Sequence, residues 1–281
     1  MTKLGVLAGG GQLPVRVIEA CRAAGRDFFV LAFEGHTDPA TVADTPHAWV
    51  RLGAVGEALR RLHEAKVEEV VLAGPVRRPS FEDLRPDWRG AMFLAKVGAR
   101  AFGDDGLLSA VVKELESEGF RVVGADDVFG NLRTPLGPCG RLKPDAVSET
   151  DIQRGIDVVQ AVGRLDVGQA AVVQQGVVLG IEAIEGTDAL LDRCAGLRRT
   201  GHGGVLVKIA KPGQERRVDL PTIGPGTVQR AATAGLAGIA LEAGQSLIID
   251  RAAVVRAADE AGLFIVGVKV SWWPHRPEAD R

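Results

Sequence analysis

The sequence contains no tyrosine, few other aromatic residues and only three cysteines among its 281 residues. Aromatic residues make up 5% of the chain, which argues against the base-stacking surfaces of single-strand nucleic-acid binders. Cys21, Cys139 and Cys194 are scattered and odd in number, so they predict neither a disulfide framework nor a zinc site. They indicate reduced thiols, and we expect a cytoplasmic protein.

The chain also lacks a long apolar run and an excess of one charge. No uninterrupted apolar stretch approaches the ~18 residues that a membrane span needs, and we expect no secretory signal. The formal net charge is −2, from 34 basic and 36 acidic residues, so we expect no nucleic-acid partner. Hydrophobic residues make up 46% of the chain, an ordinary globular value.

Strand and helix patterns alternate along the first half. Short apolar runs at residues 3–8, 28–33 and 67–73 predict strands, and apolar residues at helical spacing lie between them. Strand–helix–strand order with short connections predicts a parallel, Rossmann-like sheet. In the second half, Gln174-Gln175-Gly176 predicts a hairpin turn, and the strands and helices around it predict a mixed α/β arrangement.

Prolines and glycines concentrate between residues 134 and 147, which is typical of a linker. The fold class that we predict is therefore α/β, with two domains joined by a Pro/Gly-rich linker. We place the N-terminal Rossmann-like domain at 1–133 and the linker at 134–147. The C-terminal mixed α/β domain, which we expect to be catalytic, follows at 148–270, and an irregular tail at 271–281.

A glycine-rich loop separates the first predicted strand from the first predicted helix. It begins Gly9-Gly10-Gly11 and continues through Gln12 and Leu13. We predict that Gly10, Gly11, Gln12 and Leu13 bind phosphate, because backbone N–H groups at a helix N-terminus favour anions. The next residue is proline, so the dinucleotide fingerprint G-x-G-x-x-G is incomplete. A tight turn without a ligand is the alternative interpretation.

Two further segments carry candidate ligand-binding residues in the first half. Gly74 and Arg78 belong to a loop that follows the third predicted strand, at the edge where open parallel sheets bind ligands. A solvated loop explains this segment equally well. Asp104 and Asp105 open a helix, where acids cap free N–H groups; a metal or sugar contact is the functional alternative.

Three carboxylates fall within seven positions in the second half: Glu182, Glu185 and Asp188. Together they could supply oxygen ligands for Mg²⁺. Glu182 lies inside an apolar strand pattern, where a buried acid needs a partner or a metal. Thr187 is a predicted N-cap of the following helix, and Asp188 alone is also explained as a first-turn acid.

The segment from 208 to 224 combines basic residues, one aspartate and two rigid turns. Lys208, Lys211 and Arg217 can neutralise a pyrophosphate, and Asp219 is suited to hold Mg²⁺ or to orient water. The sequence has no H-x-x-x-H and no G-x-S-x-G pattern, so serine and zinc hydrolase chemistry have no support. A solvated basic loop is the structural alternative.

Six motifs, taken in order and spacing, resemble the UDP-2,3-diacylglucosamine pyrophosphatase family LpxI. They read G-V-L-A-G-G-G-Q-L-P, G-P-V-R-R-P, F-G-D-D-G-L-L, L-D-V-G-Q, E-A-I-E-G-T-D and K-I-A-K-P-G-Q-E-R-R-V-D-L-P-T-I-G. The resemblance runs from about residue 3 to residue 267. The last two motifs are specific, whereas the glycine loop alone is not.

The resemblance implies cleavage of UDP-2,3-diacylglucosamine to UMP and 2,3-diacylglucosamine 1-phosphate (lipid X) in lipid A biosynthesis. It also implies dependence on Mg²⁺ (or Mn²⁺), attack of water on the β-phosphate and two domains that close on the substrate. The setting it implies is a Gram-negative cytoplasm, and we expect peripheral contact with the inner membrane, with the oligomeric state open between monomer and homodimer.

The family's last motif transfers roles to five residues of this chain. These are Lys208, Lys211, Gln214, Arg217 and Asp219. We expect the two lysines, the arginine and the aspartate to be catalytic, with Asp219 as the essential acid, holding the metal or activating water. Gln214 is placed with Gln169 and Thr187 among the substrate-binding residues.

Two acyl chains need apolar surface beside the site. Residues of one short segment could supply it, although a core helix explains them equally well; they are Trp88, Ala91, Met92, Phe93 and Leu94.

Two other functions remain open at this point. One is a nucleotide-dependent oxidoreductase that uses the glycine loop, and the other is a non-catalytic nucleotide-sensing protein.

Overall fold

The computed structural model describes residues 1–76, 86–98, 104–129, 132–212 and 217–270, without the side chains of Asp104 and Asp105. The chain divides into two compact units. The first unit contains the described residues up to 129 together with 217–219. The second contains residues 132–212 and 220–270. The boundaries of the predicted domains stay a prediction.

The first unit is a parallel sheet flanked by helices. Its strands are β1 (Leu4–Ala8), β2 (Phe28–Phe33), β3 (His47–Val50), β4 (Glu69–Ala73) and β5 (Arg121–Val123). Its helices are α1 (Leu13–Ala23), α2 (Pro39–Val42), α3 (Val55–Glu64), α4 (Trp88–Val97), α5 (Asp104–Ser117) and α6 (Ala125–Phe129). The strand order is β3-β2-β1-β4-β5 and every pairing is parallel, so the predicted Rossmann-like sheet is confirmed.

Burial explains why β1 reads as a continuous apolar run. All five of its residues are buried, because it is the central strand and helices cover both faces of a parallel sheet. Leu31 on β2, Leu62 on α3 and Val70 on β4 are fully buried in the same core cluster. The helix α1 ends just before Gly25, whose φ of 61° lets the chain leave the helix in the left-handed region.

The second unit contains a six-stranded mixed sheet and a two-stranded one. Its strands are β6 (Gly137–Pro138), β7 (Ala170–Gln174), β8 (Val177–Ile181), β9 (Val205–Lys208), β10 (Thr222–Ile223), β11 (Gly238–Glu242), β12 (Leu247–Ile248) and β13 (Phe264–Val268). Its helices are α7 (Ala146–Gly163), α8 (Gly186–Ala195), α9 (Pro225–Thr233) and α10 (Arg251–Ala261). The large sheet has the order β6-β13-β11-β9-β7-β8, and β10 pairs with β12.

The directions of the strands bring the ends of several strands to one edge of the large sheet. Strands β9, β11 and β13 are parallel, β7 runs against β9, and β8 runs against β7. The ends of β8, β9 and β11 and the start of β7 therefore lie at the same edge. Side chains from four separate sequence segments meet there, although they are far apart along the chain.

The predicted hairpin between β7 and β8 is present. Gln174 pairs with Val177, which leaves a two-residue loop at Gln175 and Gly176, with φ values of 51° and 77°. Positive φ at both positions is typical of the tight turns that match strand twist. The buried carboxylate of Asp151 on α7 accepts both loop N–H groups, at 2.9 Å and 2.6 Å. This bond pair fixes the hairpin against the helix.

The predicted linker segment carries regular structure in the second unit. Gly137-Pro138 pairs antiparallel with β13 at the edge of the sheet, a position that tolerates proline because one side of an edge strand has no ladder bonds. Asp145 caps α7, its Oδ1 accepting the Ser148 N–H at 2.9 Å. The helix consequently begins at Ala146, inside the segment predicted as a linker.

His202 connects the start of α7 to the loop before β9. Its Nδ1 lies 2.8 Å from the Gly203 carbonyl and its Nε2 lies 2.9 Å from Asp145 Oδ2. Both partners accept, so the doubly protonated ring satisfies both contacts. The hydrogen bond to the Gly203 carbonyl is the main cause that raises the pKa of His202, and Asp145 raises it further. The hydrogen bond from the Ser148 N–H is the main cause that lowers the pKa of Asp145, and His202 lowers it further.

These shifts predict a pH-dependent contribution to stability. The His202 contribution is complete below its unfolded pKa of about 6.5 and is lost as pH rises through the raised folded value. The Asp145 contribution is present above its unfolded value and is lost as pH falls through the lowered one. The loss of Tm caused by His202→Gln should therefore be largest near pH 5 to 6, about the middle of this window, and shrink toward pH 9. Thermal unfolding against pH, with the exposed His47→Gln as control, measures it; a pH-independent difference contradicts the assignment.

Candidate active site

The candidate site in the second unit begins at the sheet edge where β8 and β9 end. Lys208, the last residue of β9, pairs with Ala170, the first residue of β7. On the other side of β7, the Glu182 N–H donates to the Ala170 carbonyl at 2.8 Å. Glu182 and Lys208 therefore lie on either side of Ala170 in neighbouring strands, and their side chains are close together at this edge of the sheet.

A buried hydrogen-bonded chain joins Lys208, Thr187 and Glu182. The Lys208 ammonium donates to Thr187 Oγ1 at 2.6 Å, and the Thr187 hydroxyl donates to Glu182 Oε1 at 2.5 Å. Lys208 Nζ lies 4.0 Å from the same Glu182 oxygen. The second oxygen, Oε2, accepts the Gln169 N–H at 3.1 Å. Lys208 and Glu182 are each only 6% exposed, so these bonds offset the cost of burying two charges.

Thr187 differs from its predicted capping role. The N-cap of α8 is Glu185, and Thr187 is the second residue of the helix. Its hydroxyl turns to Glu182 and Lys208 instead of the free N–H groups of the first turn. The N-cap prediction for Thr187 is therefore wrong, because two buried charged groups compete for the oxygen. Its predicted contact with substrate stays a prediction.

The L-D-V-G-Q motif forms a loop that supports the same edge. Asp166 has a φ of 54°, and its Oδ1 lies 2.5 Å from Lys211 Nζ. Lys211 is 9% exposed, so this second ion pair is also buried on the lysine side. A Cβ on Gly168 would lie 2.0 Å from the Glu182 carbonyl oxygen, which explains the glycine. The motif thus brings Asp166 to Lys211 and the Gln169 N–H to Glu182.

Glu242 is a buried acid at this edge that the sequence analysis missed. It is the last residue of β11 and is 6% exposed. Its Oε2 accepts the Ala210 N–H at 3.1 Å. The signal was present in the sequence, because Glu242 ends an otherwise apolar strand, as Glu182 does, and a buried carboxylate needs a partner. Asp166, quoted only as part of a motif, was likewise given no role.

Glu182, Glu185 and Asp188, the three acids predicted to share a metal, each have a different partner. Glu185 Oε1 accepts a hydrogen bond from Arg193 at 2.9 Å. The backbone N–H of Glu185 is the main cause that lowers the pKa of its carboxyl group, and Arg193 lowers it further. Asp188 lies 3.4 Å from the Arg230 guanidinium. Within the part of the chain that the structure describes, no group of three or more His, Cys, Asp or Glu side chains could hold a metal ion. As a set, these three acids do not fit one.

The predicted phosphate loop in the first unit lies between neighbouring strands. Strand order reverses between β1 and β4, and ligands bind at such reversals in open parallel sheets. The Gly9 N–H donates to the Ala73 carbonyl and the Gly10 N–H to the Pro75 carbonyl, both at 2.8 Å. A Cβ on Gly74 would lie 2.1 Å from the Gly10 carbonyl oxygen, so the two loops pack backbone on backbone.

This backbone packing reduces the number of predicted anion-binding residues that an anion could reach. The N–H of Gly10 is already bonded to protein, and Gly74 is explained by close packing. Gly11 and Gln12 are exposed at the start of α1, and Leu13 is half-buried. The accessible part of the predicted phosphate loop is therefore Gly11 to Leu13.

The basic segment enters the first unit beyond Lys211. Val218 packs against the core of the first unit, and Asp219 beside it is half-buried. Arg217 is exposed and its Nη1 lies 2.5 Å from Glu116 Oε1 on α5. An exposed ion pair of this kind contributes at most ~1 kcal/mol. Arg78, Gln214 and the side chains of Asp104 and Asp105 lie outside the described residues.

The segment predicted to offer apolar surface forms α4. Phe93 is buried with Val97 in a small core cluster. Trp88 is 79% exposed and Met92 is 56% exposed, one turn apart on the outer side of the helix. The helix therefore packs on one side and presents apolar side chains on the other, and their contact with acyl chains stays a prediction. None of the described helices is long and apolar enough to cross a membrane.

Removing the Thr187 hydroxyl should disturb the Lys208 ammonium without changing the volume of the side chain. We expect Thr187→Val to lower kcat/KM by about tenfold, because Lys208 and Glu182 lose the oxygen between them. Thr187→Ser keeps a hydroxyl and should stay within about threefold of wild type. Steady-state kinetics on both variants checks this. Equal activity of the valine and wild-type proteins would contradict the assignment.

Two solved structures resemble parts of the chain at low similarity. One is N5-carboxyaminoimidazole synthase from Aspergillus clavatus, with a TM-score of 0.26 and 12% identity, covering 70% of this chain and 44% of that one. The other is the biotin carboxylase domain of 2-oxoglutarate carboxylase from Hydrogenobacter thermophilus, with a TM-score of 0.27 and 12% identity, covering 70% and 42%. The chain spans less than half of either structure, and at these TM-scores neither carries an argument.

Comparison with family models and curated proteins gives a far stronger match. The LpxI N-terminal domain model matches residues 3–132, and the LpxI C-terminal domain model matches residues 135–266. The UDP-2,3-diacylglucosamine pyrophosphatase LpxI of Caulobacter vibrioides is 48% identical over 276 residues. That alignment covers 95% of this chain and 98% of the relative. The chain therefore belongs to the LpxI family.

Proposed function

We propose that this protein hydrolyses UDP-2,3-diacylglucosamine to UMP and 2,3-diacylglucosamine 1-phosphate, a step of lipid A biosynthesis. One observation carries the proposal: the 48% identity to the Caulobacter pyrophosphatase extends over 98% of that enzyme. The chain thus has both domains of an enzyme with this activity, together with the basic motif that contains Lys208, Lys211 and Asp219. The reaction class is hydrolysis of a phosphoric anhydride.

Lys208 and Lys211 are proposed to bind phosphoryl oxygens of the substrate. Both ammonium groups are buried and held in place, Lys208 by Thr187 and Lys211 by Asp166. Donors that are fixed before the substrate arrives need little reorganisation as charge develops, which is the usual source of electrostatic catalysis. An ammonium group has three N–H donors, so one bond to Thr187 does not exhaust Lys208.

Charge pairing supports a requirement for a divalent cation. Each predicted cation already has an acidic partner: Lys208 has Glu182, Lys211 has Asp166 and Arg217 has Glu116. These pairs bring little net positive charge to a diphosphate that carries two negative charges. Mg²⁺ needs only one or two carboxylates besides substrate phosphates, so Asp219 would suffice as the protein ligand, and Mn²⁺ suits the same oxygens. When bound, the ion would neutralise charge on the phosphoryl oxygens.

Asp219 is proposed as the essential acid, and two roles remain for it. As a ligand it would hold Mg²⁺; as a hydrogen-bond acceptor it would orient the attacking water. In either role the water oxygen bonds to the β-phosphorus while the bond from that phosphorus to the bridging oxygen breaks. The bridging oxygen leaves as part of UMP, and the proton that the water loses is released to solvent. The half-buried position of Asp219 beside the packed Val218 supports a fixed orientation of its carboxylate.

A lipid substrate also bears on where the protein acts. We propose a cytoplasmic enzyme that contacts the inner membrane peripherally while it takes up its substrate. The exposed Trp88 and Met92 on α4 supply apolar surface for such contact. Tryptophan suits this position, because its ring is apolar and its N–H can remain hydrated.

The decisive experiment is to incubate the purified protein with UDP-2,3-diacylglucosamine and measure UMP and the lipid 1-phosphate. UDP-N-acetylglucosamine is the control for a general UDP-sugar hydrolase. It carries an acetyl group at position 2 and a free hydroxyl at position 3 in place of the two acyl chains of the substrate. Binding of the substrate without any UMP would favour the sensing protein instead. Thermal protection by NAD(P)H, with none by UDP-sugars, would favour the oxidoreductase.

A further inference from the structure

We propose that Glu242 is a positioning residue that fixes the chain between Lys208 and Lys211, an inference that rests on the proposed function. The carboxylate accepts a hydrogen bond from the backbone N–H of Ala210, between the two lysines, and its proposed effect on the reaction is exerted through them.

The backbone bonds around Lys208 show how Glu242 extends the sheet. The ladder between β9 and β11 reaches Lys208, the last residue of β9. The next N–H, of Ile209, donates to the Gln169 carbonyl at 3.0 Å. The one after it, of Ala210, donates to Glu242 Oε2 at 3.1 Å. A side-chain carboxylate thus takes the place that a backbone carbonyl would occupy in a continuing ladder, and the segment is held from both sides.

Burial indicates that this arrangement serves more than stability. Glu242 is 6% exposed, and its partner Ala210 is 3% exposed. Burying a carboxylate is costly even when it is paired, and a well-packed apolar side chain is often neutral or more stable. The rest of β11, Gly238 to Leu241, is apolar and buried. We infer that the acid at its last position sets the path of the lysine segment through its bond to Ala210.

Fixing that path matters because both lysines are proposed to bind phosphoryl oxygens. The Lys208 ammonium is held at its tip by Thr187, and the Lys211 ammonium by Asp166. Without Glu242, the peptide between them would be free to shift, and the two ammonium groups would lose their common spacing. A misplacement of ~1 Å at a catalytic group can cost about 100-fold in rate.

Two substitutions separate the hydrogen bond from the shape of the side chain. Glu242→Gln keeps an oxygen that can accept the Ala210 N–H, and we expect kcat within about threefold of wild type. Glu242→Met has a similar length but no such acceptor, and we expect kcat to fall by about 10- to 100-fold with a smaller change in KM. Glu260→Met, at an exposed position of α10, is the matched control and should behave as wild type.

A double-mutant cycle shows whether Glu242 acts through the lysines. In a Lys211→Met background, Glu242→Met should cost clearly less than it does alone, because the group that it positions is already missing. Multiplicative losses, or a Glu242→Met protein within about twofold of wild type, would overturn the inference. Wild-type protein without turnover would instead overturn the proposed function. Hydrogen exchange of the Ala210 amide, faster in Glu242→Met than in Glu242→Gln, gives a readout independent of turnover, and equal rates would contradict the positioning.

Discussion

Asp219→Ala is expected to lower kcat by at least ~100-fold while KM changes little, as for a group that acts mainly in the transition state. The carboxylate is half-buried at the surface of the first unit, and the adjacent Val218 anchors the segment in the core. Removing the carboxylate should therefore leave the fold intact, so that the loss reports on chemistry. Asp44→Ala, at an exposed position of the same unit, is the control. An Asp219→Ala enzyme with wild-type kcat would refute the assignment.

The Mg²⁺ dependence of the variants separates the two roles proposed for Asp219. If the carboxylate is a metal ligand, Asp219→Asn should need a higher Mg²⁺ concentration for half-maximal activity, because the amide is a weaker ligand for a hard cation. If the carboxylate orients water, kcat should fall at an unchanged Mg²⁺ requirement. Measuring the activity of the wild-type and Asp219→Asn proteins as a function of Mg²⁺ concentration separates the two roles.

Removal of divalent cations is expected to suppress turnover by more than ~100-fold, and Mg²⁺ or Mn²⁺ should restore it. The reason is the pairing of Lys208, Lys211 and Arg217 with acids, which leaves the diphosphate charge largely uncompensated by protein. Activity in excess EDTA, followed by back-titration with each metal, measures the effect. The Tm in EDTA is the control that the protein is still folded. Full turnover in excess EDTA would contradict the requirement.

Short, continuous apolar runs made the central strands of the first unit predictable. Strand β1 was expected at residues 3–8 and occupies Leu4–Ala8, and β2 matches its predicted range. Strand β3, His47–Val50, escaped prediction because it is a short edge strand that begins with an exposed histidine. The start of α7 was missed for another reason: the capping aspartate Asp145 stood within a segment judged by its prolines and glycines alone.

The candidate site was predictable where burial alone dictated the need for a partner. Glu182 was expected to require a metal or a partner, and it has Thr187 and Lys208. Glu185 and Asp188 were grouped with it by spacing in sequence. Their arginine partners, Arg193 and Arg230, come from later positions on α8 and α9. Arg193 lies eight residues after Glu185 along the same helix, beyond the i+3 and i+4 spacing of ordinary helical ion pairs, and Arg230 reaches Asp188 only because α9 packs against α8.

The most direct test of the account is hydrolysis of UDP-2,3-diacylglucosamine in water enriched in ¹⁸O, with both products analysed by mass spectrometry. Attack on the β-phosphate predicts one labelled oxygen in the lipid 1-phosphate and none in UMP. Label in UMP would place the attack on the other phosphorus and contradict the proposed mechanism. Intact substrate after prolonged incubation with Mg²⁺ would contradict the proposed activity itself.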